Sequence, residues 1–177
     1  MIRSVVHDFR VLIRNEQDKD LAAVRALNIA AFGTTAEADL VDALRAQARP
    51  VVSLVAEDKG VVVGHIMFSP VALSDHPALK IMGLAPMAVL PARQKQGIGS
   101  ALVRAGLERC RSLGVGAVVV LGHPRYYPRF GFSPAKSFGI VSEYDAPDEA
   151  FMVVELQSDC LQGKSGTIRY HAAFQNI

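Results

Sequence analysis

Hydrophobic and polar positions change period several times along the chain, and each change marks an element. From Leu21 apolar residues recur at helical spacing (Leu21, Val24, Leu27, Ala31), with Asp18 or Asp20 placed to cap the helix and Gly33 to stop it. Thr34-Thr-Ala-Glu37 has capping-box spacing and opens a second helix, with Leu40, Val41, Leu44 and Ala48 inward and Pro50 at its close. Two β-rich runs, Val51–Ala56 and Val61–Phe68, flank Glu57-Asp-Lys-Gly60, which predicts a hairpin. Val71–Leu73 and Ile81–Leu90 extend that sheet on either side of a loop near Asp75-His-Pro77. A third helix is predicted from about Gly97 to Leu113, with Gly114 just past its end. Val103, Leu107 and Cys110 form its apolar stripe, and Arg104, Glu108 and Arg111 lie on another face. Gly116–Leu121 is apolar without alternation, as a strand buried on both faces requires. A turn or short helix around Pro124–Phe130 and a strand at Phe151–Leu156 follow. Phe9–Ile13 reads as a first short strand behind residues 1–9, which form a loose arm or an extra edge strand. The order β-αα-βββ-α-β-α-β predicts a mixed α/β sheet.

Composition narrows the function classes. The chain has 177 residues, half of them hydrophobic, which suits a single domain with a substantial core. Its 19 basic and 17 acidic residues leave a net charge of +2, so no nucleic-acid partner is indicated. No apolar stretch approaches the roughly 20 residues of a membrane span. Asp8 and Arg10 interrupt the apolar part of the N-terminus, unlike a signal peptide. Cys110 and Cys160 form neither a disulfide framework nor a zinc spacing, so no metal is expected and a reducing cytoplasm is the default compartment.

The chemistry is concentrated in Gln94-Lys-Gln-Gly97-Ile-Gly99-Ser100, a polar turn between an apolar run ending at Pro91 and the third helix. Such a turn aims backbone N–H groups at one point, at the positive end of a helix dipole, and so makes an anion site. It is not a dinucleotide fingerprint, because Leu102 stands where the last Gly or Ala belongs. It is not a P-loop, because Ser100-Ala101 follows Gly99 in place of Lys-Ser/Thr. Gly163-Lys-Ser165 looks like half a P-loop, but it lacks the earlier glycine at Ser158 and a strand leading into it.

Val89-x-Pro91, Gln94-x-x-Gly97-x-Gly99, an amphipathic helix, an apolar strand and Tyr126-Tyr-Pro-Arg-Phe-Gly-Phe132 follow one another in that order. The combination resembles the GNAT superfamily of acetyl-CoA-dependent N-acetyltransferases. It covers the chain from about Phe9 to Leu156, with its specific core at Met87–Phe132. Leu84–Pro91, Leu121–Phe132 and the later Gly163–Tyr170 are similar to one bacterial subgroup of predicted acetyltransferases. The resemblance implies an α/β fold with a mostly antiparallel central sheet, helices on both faces and a splayed strand pair at the cofactor site. It implies one domain over 1–177, with a core at about 9–156 and a C-terminal extension at 157–177.

For individual residues the resemblance implies that Gln94, Lys95, Gln96, Gly97, Ile98, Gly99 and Ser100 hold the pyrophosphate of coenzyme A. Met87, Ala88 and Val89 would meet the pantetheine arm through their backbone, with side chains in the core. An N–H near Val89 would polarise the thioester carbonyl. Pro86, Pro91 and Pro124 suit the required break between strands, since each removes a ladder donor. Tyr127, four residues before Gly131-Phe132, corresponds to the tyrosine that often protonates the departing thiolate, and Tyr126 is its neighbour and substitute. A phenol holds its proton at neutral pH and can donate it.

Two departures stand out. Gly122-His123-Pro124 occupies the place after the apolar strand where many relatives carry asparagine, and Ile81–Pro86 lacks the glutamate that often serves as base. His123 is the nearest replacement, since histidine exchanges protons near neutral pH. Glu57, His65, Glu143 and Asp145 are weaker ones. The implied activity is direct transfer of acetyl from acetyl-CoA to a primary amine, on a small molecule or a peptide, in a ternary complex, with a homodimer as the family-level expectation. A non-catalytic acyl-CoA-binding module and a regulatory domain for another phosphate compound are the competing readings.

Overall fold

The computed structural model describes residues 11–177. The arm at 1–9 and the start of the first predicted strand at Phe9 and Arg10 lie outside the described residues. That strand is seen as β1 (Leu12–Asn15). After it come α1 (Leu21–Phe32) and α2 (Ala36–Gln47), then β2 (Val52–Asp58), β3 (Val61–Leu73) and β4 (Ile81–Val89). Helix α3 (Ile98–Ser112) leads to β5 (Ala117–Leu121) and a 3-10 turn at Tyr127–Phe130. Short strands β6 (Ser133–Pro134) and β7 (Ile140–Ser142), then β8 (Phe151–Glu155), β9 (Gly166–Arg169) and a 3-10 turn at Ala172–Asn176 complete the chain.

The main sheet runs β1-β2-β3-β4-β5-β8-β6. Its neighbours are antiparallel except β4 and β5, which are parallel. Strand β9 pairs with the far end of β3 at Ala72–Leu73 and with β7, tying residues beyond 157 to the main sheet. Alternation along the strands sends side chains to two cores. Leu54, Ala56, Ile66 and Phe68 meet Leu102, Val103 and Leu107 of α3, while Val55 and Met67 meet Val24, Leu40, Val41 and Leu44 of α1 and α2. Gly106 lets α3 lie hard on the sheet, because a Cβ there would stand 2.2 Å from the Phe68 ring.

The hairpin turn forms as expected, with Lys59 and Gly60 both at positive φ (50° and 81°), the geometry of a two-residue hairpin loop. Gly33 ends α1 in the left-handed conformation, as expected. Other details differ from the pattern reading. Val71–Leu73 is the end of β3, not a separate strand, because Pro70 does not break the run. Leu21 is exposed and Ala31 only half-buried, while Asn28 joins Val24 and Leu27 on the inner face of α1. Thr34 makes no capping box; its hydroxyl donates to the Glu37 side chain at 3.3 Å, and Thr35 is the cap residue. Asp20 stands at the cap position of α1, but its carboxylate accepts from Arg14 (2.6 and 2.9 Å) and from the Gln17 N–H (2.7 Å). Pattern reading missed β6, β7 and β9, which are too short to show a period.

The sheet opens between β4 and β5. Strands β4 and β5 pair only at Ile81–Ala117, Met82–Val118 and Gly83–Val119. Beyond Gly83, β4 follows β3 through a bulge, with Phe68 opposite Leu84 but Ile66 opposite Met87, so that β4 carries an extra residue. β5 instead follows β8 to Leu121. The two parallel strands therefore form a fork, and Pro86 within it has no N–H to offer across the gap.

Candidate active site

The open end of the fork faces the N-terminus of α3. Gly97 caps that helix at φ 86°, a left-handed conformation that strains any residue with a Cβ. Its carbonyl takes the first helical bond from Ala101 at 3.0 Å, which leaves the N–H groups of Ile98, Gly99 and Ser100 without intrahelical partners. Gln94 ties the turn to the strand by donating to the Val89 carbonyl at 3.2 Å. Arg93 is held by Asp58 at 2.9 Å and by Gln96 at 3.1 Å.

Here a cleft of about 790 Å³ is lined by Met87, Val89, Arg93, Gln94, Lys95, Gly97, Ile98, Gly99, Ser100, His123, Tyr126 and Arg129. Most of the expected binding residues are thus in one place. Gln96 is not among them, because it turns to Arg93. Ala88 is buried beneath the strand, whereas Met87 and Val89 are half-buried and line the cleft instead of serving only as core. Arg129 was not anticipated. Its guanidinium lies 4.7 Å from the centre of the Tyr126 ring, three residues back in a 3-10 turn.

The two tyrosines are separated by this geometry. Tyr126 is half-buried in the cleft wall, with its hydroxyl 3.1 Å from Ser100 Oγ and 3.3 Å from where a Cβ on Gly99 would stand. It therefore belongs to the glycine-turn end. Tyr127 does not line the cleft; it is buried against Tyr126 (5.0 Å between ring centres) and Phe132 (5.6 Å). Its ring lies against Gly122, where a Cβ would stand 2.3 Å away. That contact accounts for a glycine directly after β5, and it holds Tyr127 at the strand-fork end. Burial, then the neighbouring Tyr126, pushes the Tyr127 phenol up to about 12.

On the opposite face of the sheet, a second cavity of about 290 Å³ sits at the closed end of the fork, lined by Leu84, Ala85, Val119, Val120, Leu121, Tyr144, Tyr170, Phe174 and Ile177. Ala85, Tyr170 and Phe174 belong to the core shared with α1 and α2. Burial pushes the Tyr170 phenol up to about 12 as well, against a hydrogen bond with Ser142 that lowers it. Tyr144 also borders a neighbouring depression of about 330 Å³ that carries Lys136, Glu143, Asp145 and Asp148.

Of the weaker candidates, Asp145 lines the depression beside Tyr144, and Glu57, His65 and Glu143 are occupied elsewhere. Glu57 accepts from Arg14 at 2.7 Å. His65 is fully buried, with Nε2 2.8 Å from Ser53 Oγ and 3.4 Å from Glu16, and Nδ1 facing Asn28 at 3.5 Å. Burial alone would raise the Glu16 carboxyl, but hydrogen bonds with His65 and Ser53 and the charge of Arg45 hold it below its ordinary value. Glu143 accepts from the Tyr170 N–H at 2.6 Å. Cys110 is buried among apolar side chains, which pushes its thiol up to about 12 and leaves it no nucleophilic thiolate. Gly163-Lys-Ser165 is a turn into β9, and Lys164 donates to the Cys160 carbonyl at 2.9 Å, so no phosphate cradle forms there. Among the described residues no three His, Cys, Asp or Glu side chains gather as a metal site, and no helix is long and apolar enough to cross a membrane.

A parallel strand fork with a glycine turn and helix N-terminus at its mouth defines an acetyltransferase scaffold, and the chain belongs to the acetyltransferase (GNAT) family, whose model matches residues 21–132. It is 41% identical over 150 residues to the uncharacterized N-acetyltransferase YjhQ of Escherichia coli K12, covering 81% of each chain. It is 38% identical over 168 residues to the uncharacterized N-acetyltransferase YhbS of the same strain, covering 94% of this chain and all of YhbS. The crystal structure of Escherichia coli YhbS in complex with CoA superposes with a TM-score of 0.88 at 37% identity, covering 94% of this chain and 92% of that one. A GNAT acetyltransferase from Brucella melitensis in complex with acetyl-CoA gives 0.77 at 39% identity, covering 93% and 97%.

Proposed function

We propose that this protein holds acetyl-CoA in the cleft on the α3 face and transfers the acetyl group directly to a primary amine. The carrying observation is the parting of β4 from β5 beside the N-terminus of α3, which offers an anion site and an unpaired strand edge to one extended ligand. The CoA and acetyl-CoA held by YhbS and by the Brucella melitensis enzyme support the same donor here. The N–H groups of Ile98, Gly99 and Ser100 take the pyrophosphate, with Lys95 and Arg129 adding charge at the rim. The pantetheine amides extend along Met87–Val89.

In the reaction the amine nitrogen bonds to the thioester carbon, the C–S bond breaks, the nitrogen gives up a proton, and the sulfur leaves as a thiolate that takes one. Tyr127, packed on Gly122 at the end of β5, is the proposed donor to that sulfur. With its pKa near 12 it is loaded at every physiological pH. It acts first as a hydrogen-bond donor to the developing charge, since full transfer to a thiolate of ordinary basicity runs uphill. Among the described residues no Asp or Glu side chain lines either cavity. Deprotonation of the amine therefore falls to water or to His123, which lines the cleft. Both cysteines are free thiols, which supports a reducing compartment such as the cytoplasm. The test is free-thiol release from acetyl-CoA over a panel of amines, with mass detection of the acetylated product. Amine-dependent thiol release supports transfer, and acetyl-CoA binding without release for any amine supports the non-catalytic binding module.

A further inference from the structure

We propose that the cavity of about 290 Å³ at the closed end of the fork is the acceptor site, and that it selects a primary amine carried on one compact, uncharged apolar group, aromatic or branched aliphatic. This rests on the acetyl-transfer reading above and adds the chemical class of the acceptor.

Position comes first. Leu84 and Ala85 are the first residues of β4 past its last pair with β5, and Met87 and Val89 of the donor cleft follow on the same strand. Leu121 ends β5 on the acceptor side, and His123 just beyond it lines the donor cleft. The two cavities therefore occupy the two ends of one gap, on opposite faces of the sheet. A donor arm reaching through the gap brings its thioester to the mouth of the apolar cavity.

The lining then selects. Among the described residues its side chains are aliphatic or aromatic, and the phenols of Tyr144 and Tyr170 are the polar side-chain groups. A carboxylate, a second ammonium or a ring of hydroxyls placed there would lose water and find no charged side chain and only two phenols in return. The volume lies at the small end of the roughly 300–1,000 Å³ range of ligand pockets, enough for one ring or a short branched chain. At the rim Leu121 is 50% exposed and Tyr144 38% exposed, apolar surface that a ligand would cover. Asp145, in the depression that shares Tyr144, has no ion-pair partner among the described residues, whereas Asp148 pairs with Lys136 and Glu143 with Arg169. It draws an incoming ammonium to the mouth while the apolar body enters the cavity.

The experiment compares kcat/KM for phenethylamine and 3-methylbutylamine with that for phenylalanine, spermidine and glucosamine, in the full chain and in Leu121→Glu and Tyr144→Ala. Acetyl-CoA binding is followed in parallel by thermal shift. The expected result is at least a 10-fold preference for the two apolar amines. Each variant should raise their KM about 10-fold, with acetyl-CoA binding unchanged. Equal or faster turnover of phenylalanine, spermidine or glucosamine overturns the acceptor assignment and leaves the acetyltransferase reading standing. So does an unchanged KM in both variants. Binding of acetyl-CoA with no turnover of either apolar amine also counts against the assignment. No thermal response to acetyl-CoA removes the acetyltransferase reading itself, and this inference with it.

Discussion

The donor cleft takes most of its wall from one unbroken stretch, Met87–Ser100, and its central groups are backbone N–H donors at a helix N-terminus. The acceptor cavity across the sheet gathers β4, β5, Tyr144, Tyr170 and Phe174, residues far apart in the chain, and its character lies in side chains alone. The difference separates what must stay fixed from what is free to vary. A diphosphate needs the same donors whichever amine is acetylated, and a local turn supplies them. The acceptor pocket shares β4 and β5 with the fork and takes the rest of its wall, Tyr144, Tyr170, Phe174 and Ile177, from later segments outside it.

Breaking the chemistry between the two sites gives the largest effect. Tyr127→Phe is expected to lower kcat about 100-fold, in the range typical of a lost proton donor, while the Kd for acetyl-CoA holds steady. Retained turnover across the whole pH range would remove Tyr127 from the mechanism. On the donor side alone, Gly99→Leu places a side chain between Met87 and the Tyr126 hydroxyl, where even a Cβ lies 3.3 Å from that oxygen. Calorimetric titration should show acetyl-CoA binding about 30-fold weaker, or about 2 kcal/mol, with the unliganded melting temperature little changed. On the acceptor side alone, Leu121→Glu is expected to act about 10-fold on the KM of an apolar amine. The smallest effect appears in stability. Tyr127 beside the donor cleft and Tyr170 in the acceptor cavity both have phenol pKa values raised from 10 to about 12 by burial. Each favours the fold while neutral, so its contribution is whole below about pH 10 and is lost as pH rises through about 12. Melting temperature should therefore hold to about pH 10 and then fall. Tyr127→Phe and Tyr170→Phe should each make that fall shallower.

Legibility in the sequence follows the same division. Gly97, Gly33 and the turn at Lys59-Gly60 were readable because each glycine meets a local backbone demand. The inner faces of α2 and α3 were readable because a helical period needs only neighbours in the chain. Arg129 over Tyr126 and Gly122 against Tyr127 were not, because a side-chain contact across a turn leaves no period to detect. The bulge that parts β4 from β5 depends on register with β3, which no single strand records. Asp20 shows the limit of a cap rule: it has the right residue type and place, but Arg14 claims its carboxylate, holding it down at about 2. The acceptor cavity leaves no local mark in the chain, since its walls meet only when residues beyond 157 fold back on β3.

The most direct test of the fork as the meeting place of donor and acceptor is amide hydrogen exchange at Met87–Val89 and at Ile98–Ser100, with and without acetyl-CoA. The account predicts that acetyl-CoA slows exchange in both segments together, and that Leu121→Glu leaves this protection intact. Slowing confined to Ile98–Ser100, with Met87–Val89 exchanging as in the free protein, would contradict it by showing an anion site at the helix with no donor arm in the fork.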